Sequence, residues 1–362
     1  LNVEDLLRKG VSSLKAYVPG RSIEEVAAKY GLSDVVKLAS NENALGPVPG
    51  SMDAIRGALE DLHRYPDGGA KALVERLAKK LDVSPSCVFM GNGGDDVLSV
   101  LSRTFLNDGD EVVIPQPTFS PYAHVSRVMG ARVVFSPLCD MRVDLENVLD
   151  QISGRTKIVF LCSPNNPTGG ILAEGELVAF LEKLPDGLLV LLDEAYGDFA
   201  DDPAYPDSVS LIKRFPLVVL RSFSKIYGLA GLRVGFAVSR DGVVEYMNRV
   251  RDPFNVNQLA QAAALAALED DDYKERAVAL VREGREALYA AFAEMGLEYV
   301  ESQANFIFVR VGDGDAATDA LMREGVIVRP GSAFGHPEWI RVTVGLEQEN
   351  ARFLSELKDL LA

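Results

Sequence analysis

The chain has 362 residues, of which 48% are hydrophobic and 25% charged, enough for two domains around a sizeable core. A formal net charge of −16 excludes the basic footprint of a nucleic-acid binder, so any anionic ligand must be gathered by a local cluster of donors. The acidity is compatible with a high-salt habitat without specifying one.

Residues 1–35 read as an arm with short helical pieces at 3–10 and 23–30, separated by a Pro/Gly turn that carries Tyr17. The acidic start Leu1-Asn2-Val3-Glu4-Asp5 has no signal-peptide character, and no apolar run reaches the roughly 18 residues of a membrane span. Cys87, Cys139 and Cys162 have no paired spacing, which suits a reducing compartment and fits neither a disulfide framework nor a zinc site. A cytoplasmic location is therefore expected. Ser40-Asn41-Glu42-Asn43 opens a polar loop whose asparagines read first as turn formers, and His63-Arg64-Tyr65-Pro66 is a second loop.

From Lys71 onward, apolar strands alternate with helices. Helical spacing at 71–81, 97–105, 121–129, 144–151 and 174–184 separates strands expected at 88–90, 111–114, 132–135, 157–161, 188–192, 217–220 and 234–238. Such alternation predicts an α/β domain, a mostly parallel sheet covered by helices on both faces, with ligands bound at the carboxyl ends of the strands. After Pro253, Ala-rich helices at 257–268 and 273–295, short strands at 306–310, 326–329 and 340–344, and a closing helix at 348–361 read as a smaller α+β domain. The expected division is an arm at 1–35, a large domain at 36–253 and a small domain at 254–362.

Several strand ends carry chemistry. Lys225, in Ser222-Phe223-Ser224-Lys225, follows an apolar strand, where a near-neutral amine can form a Schiff base with a carbonyl cofactor. Ser222, Ser224 and Arg233 offer hydroxyls and a fork for phosphate; a basic loop is the bland alternative. Asp193 ends the strand 188–192, where a buried acid needs a cation such as a pyridinium, and Tyr196 follows three residues on. Mg²⁺ is the alternative there, but no Gly-x-x-x-x-Gly-Lys-Ser/Thr loop accompanies it. Gly91-Asn92-Gly93-Gly94-Asp95 opens a helix whose unpaired N–H groups favour an anion. The turn Ser163-Pro164-Asn165-Asn166-Pro167 aims Asn166, and Phe119 can stack on a flat ring or simply fill the core. Arg329 and Arg341 lie on late strands, where a substrate anion or a structural ion pair would satisfy them.

Taken together, Asn166, Asp193 with Tyr196, Ser222-x-Ser224-Lys225, Arg233 and Arg341 resemble the motif order of fold-type-I pyridoxal phosphate aminotransferases. Within them the chain is similar to the histidinol-phosphate aminotransferase family from end to end, through Leu38-Ala39-Ser40-Asn41-Glu42-Asn43, Arg64-Tyr65-Pro66, Gly91-Asn92-Gly93 and Ala304-Asn305-Phe306-Ile307. The resemblance implies pyridoxal 5'-phosphate as cofactor and transamination between L-histidinol phosphate and 2-oxoglutarate in histidine biosynthesis. It implies Lys225, Asp193 and Tyr196 as catalytic. Gly94, Asp95, Phe119, Asn166, Ser222, Ser224 and Arg233 would hold the cofactor, and Tyr17, Asn43, Arg329 and Arg341 the substrate. It also implies a homodimer in which Tyr65 reaches the neighbouring subunit's cofactor phosphate. Phe119 stands where many relatives carry Tyr, so stacking is kept and a hydroxyl role is lost. An aromatic or broad-range aminotransferase and a threonine-phosphate decarboxylase share the fold and much of this pattern. A nicotinamide-dependent oxidoreductase would need a dinucleotide fingerprint in a register this chain lacks.

Overall fold

The computed structural model describes residues 2–8, 10–12, 14, 16 and 20–361. Its centre is a seven-stranded sheet in the spatial order Val88–Gly91, Gly235–Val238, Leu217–Ser222, Leu189–Asp193, Thr156–Cys162, Glu111–Gln116, Arg132–Pro137. Only Gly235–Val238 runs against its neighbours; the other pairings are parallel. The central strands are mostly apolar because both their faces are covered, and successive residues serve different cores. Val159, Leu161, Val190, Leu192, Leu217 and Val219 enter one cluster, and Ile158, Phe160, Leu191, Val218 and Leu220 enter the other.

A second sheet of four strands contains Phe306–Arg310 and Trp339–Thr343 paired antiparallel. The strand expected at 326–329 is split. Val326–Ile327 pairs in parallel with Val36–Lys37, whereas Arg329–Pro330 pairs with the Trp339–Thr343 strand. The sequence-distant Val36–Lys37 contact was not foreseeable from local pattern, because two residues are too short to show a period. The helix Ile23–Tyr30, closed by a reciprocal Ser22–Glu25 capping box, seats Val26 against Ala39, Met322 and Ile327.

One 24-residue helix, Asp271–Glu294, joins the two cores. Tyr273, Ala277 and Val281 pack beside the large sheet, and Leu288 and Phe292 pack beneath the small one. Between them Arg285 pairs with Asp201 at 2.9 Å. Among the described residues no helix is long and apolar enough to cross a membrane.

Candidate active site

The loops expected to hold the cofactor within the chain open on one rim of the large sheet. Gly91, Gln116, Cys162, Asp193 and Ser222 are the carboxyl ends of parallel strands. Arg233 precedes the antiparallel strand Gly235–Val238, so its amino end falls on that same rim. This is where open α/β sheets present their ligands.

A cavity of about 160 Å³ on this rim is lined by Gly94, Asp95, Phe119, Asn166, Asp193, Tyr196, Ser222, Ser224, Lys225 and Arg233. A second, of about 190 Å³, is lined by Asn41, Arg329, Phe334 and Arg341 and shares Phe119, Asn166, Tyr196 and Lys225 with the first. Lys225 thus stands at the junction. Its Nζ donates to the Ser40 carbonyl at 3.1 Å, and burial, with Arg341 nearby, brings the amine down to about 8. That value leaves a useful neutral fraction at physiological pH, which a nucleophile toward a carbonyl needs.

At the far end of the first cavity, Asp193 is 5% exposed. Its Oδ2 accepts from the Tyr122 hydroxyl at 2.6 Å and its Oδ1 from the Ala195 N–H at 2.9 Å. Burial nevertheless pushes the acid up to about 6. Neutral donors alone do not offset the desolvation, so a cationic ring nitrogen matches this carboxylate.

The opposite end is built for an anion. The helix Gly94–Phe105 begins here, with unpaired N–H groups at its first turn. Gly93 is required: its φ is +83°, and a Cβ there would lie 2.7 Å from Arg233 Nη2. Asp95 steers Arg233 through a 3.1 Å contact, and the Ser224 N–H donates to Ser222 Oγ at 3.0 Å. Amine, acid and anion cradle are therefore distributed as a phosphorylated pyridine carbonyl demands, and the residues fit that group.

Asn166 and Phe119 are held by one network. Thr118 Oγ1 donates to Asn165 Oδ1 at 2.7 Å, and Asn165 Nδ2 donates to the Pro117 carbonyl at 3.1 Å and Thr168 Oγ1 at 3.0 Å. Arg341 Nη1 donates to Asn166 Oδ1 at 2.6 Å. A guanidinium only donates, so the oxygen must face it, leaving the amide nitrogen for the cavity. Arg341 also lies 5.3 and 5.4 Å from the Phe306 and Phe334 ring centres. Arg329 stands directly opposite it across the strand pair, an arrangement that repels unless an anion lies between.

Of the expected site residues, Asn43 and Tyr65 line neither cavity of this chain. Asn43 Nδ2 donates to the carbonyls of Lys225 (3.1 Å) and Ile226 (2.8 Å), and its Oδ1 accepts from Leu45 N–H at 3.0 Å. The side chain is engaged in holding the lysine loop. Tyr65 lies outside both cavities of its own chain, 82% exposed and stacked on Phe254 at 4.7 Å. Tyr17 falls outside the described residues.

Sequence reasoning missed Tyr122, Asn41 and Thr343. Tyr122 reads as another apolar position of an amphipathic helix, and no local signal marks its hydroxyl. Asn41 is the inward asparagine of its loop, buried with φ +54°, and its Nδ2 donates to the Tyr196 hydroxyl at 2.9 Å. Thr343 lies two residues beyond Arg341 on the same strand face, a spacing that was available as a signal.

The family model for aminotransferase class I and II matches residues 33–357. The chain is 45% identical over 98% of its length to the histidinol-phosphate aminotransferase of Moorella thermoacetica, covering 93% of that protein. It is 46% identical to the histidinol-phosphate aminotransferase of Symbiobacterium thermophilum, over 98% of each chain. The crystal structure of histidinol-phosphate aminotransferase from Sinorhizobium meliloti in complex with pyridoxal-5'-phosphate superposes with a TM-score of 0.90, at 29% identity, covering 98% of this chain and 96% of that one.

Proposed function

The chain belongs to the class I and II aminotransferase family, and on that premise we propose that it transfers the amino group of L-histidinol phosphate to 2-oxoglutarate, in histidine biosynthesis, with pyridoxal 5'-phosphate as cofactor. The observation that carries this reading is Lys225 at the junction of two cavities, one ending in Asp193, the other in a facing pair of arginines. When bound, the cofactor supplies an electrophilic carbon and a ring that withdraws electrons from the substrate's Cα–H bond.

The chain's own residues do the rest. Lys225 Nζ would take the proton from the substrate Cα and deliver it to the cofactor's C4′, a task its lowered basicity suits. Asp193 would hold the ring nitrogen protonated. Tyr196 and Asn166 would donate to the ring oxygen, and Phe119 would stack on the ring. The helix start at Gly94 and Asp95, with Ser222, Ser224 and Arg233, takes the cofactor phosphate. Arg329 and Arg341 serve the substrate phosphate in one half-reaction and a carboxylate in the other, two anions that make similar demands of a guanidinium fork. Tyr17, outside the described residues, is proposed as a further substrate contact on the resemblance alone.

The proposal includes a cytoplasmic homodimer in which Tyr65 reaches the cofactor phosphate of the neighbouring subunit. Its exposed ring, outside both cavities of its own chain, is consistent with that. It also includes the division into arm, large domain and small domain described above.

Purified protein supplied with pyridoxal phosphate should turn yellow, and borohydride should bleach the colour while fixing the cofactor covalently to Lys225. A Lys225→Ala protein that transaminates at the wild-type rate overturns the mechanism. Half-reaction spectra with histidinol phosphate, phenylalanine and threonine phosphate decide the substrate; equal or faster turnover of either competitor overturns the narrower assignment.

A further inference from the structure

Tyr196 faces the cofactor cavity, yet whether its hydroxyl donates or accepts there depends on where its proton points. Its partner is the side chain of Asn41, and Asn41 in turn is tied to Thr343 by two hydrogen bonds. The Asn41 N–H donates to Thr343 Oγ1 at 3.0 Å, and Thr343 Oγ1 donates to Asn41 Oδ1 at 3.1 Å. Asn41 Nδ2 then donates to Tyr196 Oη at 2.9 Å. Asn41 is 1% and Thr343 3% exposed, so water does not compete for these bonds. The loop is held from behind by Asn305, whose Nδ2 donates to the Asn41 carbonyl at 3.1 Å.

The direction of this chain is forced by proton count. A backbone N–H can only donate, so Thr343 Oγ1 accepts it and has one proton left to give. That proton goes to Asn41 Oδ1, which turns the amide nitrogen toward Tyr196 and makes the phenol oxygen an acceptor. The phenol's own proton is thereby left for the cavity. Turning the amide over would leave the buried threonine proton without this acceptor and would draw the tyrosine proton away from the cavity.

We infer that Thr343 is a positioning residue that sets Tyr196 as an obligate hydrogen-bond donor toward the ring oxygen of the bound cofactor, acting through Asn41. The inference rests on the pyridoxal phosphate reading above. Thr343 and Arg341 lie on one face of one strand, so the same element orients both ring-oxygen donors: Arg341 turns the Asn166 amide and Thr343 turns the Asn41 amide.

The test reads the protonation midpoint of the visible chromophore of the loaded protein, by absorbance against pH. A donor to the ring oxygen favours its anionic form, so losing it raises the midpoint. Thr343→Val should raise the midpoint by about one unit, and Thr343→Ser should restore it. In a Tyr196→Phe background, Thr343→Val should cause no further shift. An unchanged midpoint in Thr343→Val, or an equal shift with Tyr196 absent, overturns the inference. If Thr343→Val does not fold, Asn41→Gly, which suits the positive φ, is carried through the same pairing with Tyr196→Phe and judged identically. Wild-type protein that takes up no cofactor overturns the underlying reading and this inference with it.

Discussion

Asp193 is buried and Lys225 partly buried, and desolvation moves each toward its neutral form: the amine down from 10.5 to about 8, the acid up from 3.8 to about 6. Only a neutral amine attacks a carbonyl, so the rate of pyridoxal phosphate uptake by the cofactor-free protein should rise with pH and level off above about 8. Stopped-flow absorbance measures it; a midpoint near 10.5 would mean that the site does not perturb the lysine. The sign for stability follows by linkage. Between about 8 and 10.5 the unfolded chain binds the Lys225 proton that the folded chain has lost, so this contribution to stability rises with pH there. Between 3.8 and about 6 the folded chain keeps the Asp193 proton that the unfolded chain has lost, so stability falls as pH rises through that window. Asp193→Asn removes the charge without changing the shape, and turnover should drop on the order of a hundredfold or more at unchanged loading, read by single-turnover kinetics.

The elements matter here through their ends. The strands Leu189–Asp193 and Leu217–Ser222 lie side by side, and the residues flanking their site groups are locked together. Glu194 accepts from Arg221 Nε at 3.0 Å and from Ser208 Oγ at 2.6 Å, with its carboxylate fully buried. The pair fixes the spacing between Asp193 and Ser222, the acid end and the phosphate end of the cavity. Arg221→Met leaves Glu194 buried and uncompensated, and should cost about 3–5 kcal/mol of stability, visible as a lowered Tm. At the helix start, Gly93→Ala places a methyl against Arg233 in a strained backbone, and cofactor affinity should weaken by about tenfold or more in an absorbance titration. Gly231→Ala, where a Cβ meets nothing within 4 Å, is the matched control and should leave affinity unchanged.

At the scale of the molecule, the second cavity takes its walls from both sheets, with the Asp271–Glu294 helix bridging the two cores. The proposed dimer extends the site further. Mixing Tyr65→Ala chains with Lys225→Ala chains should restore activity that neither has alone, approaching about a quarter of wild type. Half the dimers would be hybrid, each with one intact site. No recovery after confirmed subunit exchange would place Tyr65 outside the neighbouring site.

What the sequence determined by itself was the alternation of the large sheet and the identity of its rim chemistry. Asp193, Lys225 and Asn166 each follow an apolar run, and a polar group that ends a buried strand has few places to go. The motif order then pointed to the family. What only the tertiary structure decided was which side chains serve those groups. Tyr122 reaches Asp193 across 71 positions, and Thr343 reaches Asn41 across 302, distances over which no local period or propensity carries information. The two asparagines of the Ser40-Asn41-Glu42-Asn43 loop have the same chemistry, and the positive φ at Asn41 turned that residue to the cavity while Asn43 closed on the lysine loop. Hydrogen-bond direction is a property of the closed network, because each proton's place depends on partners that folding alone brings within 3 Å or so.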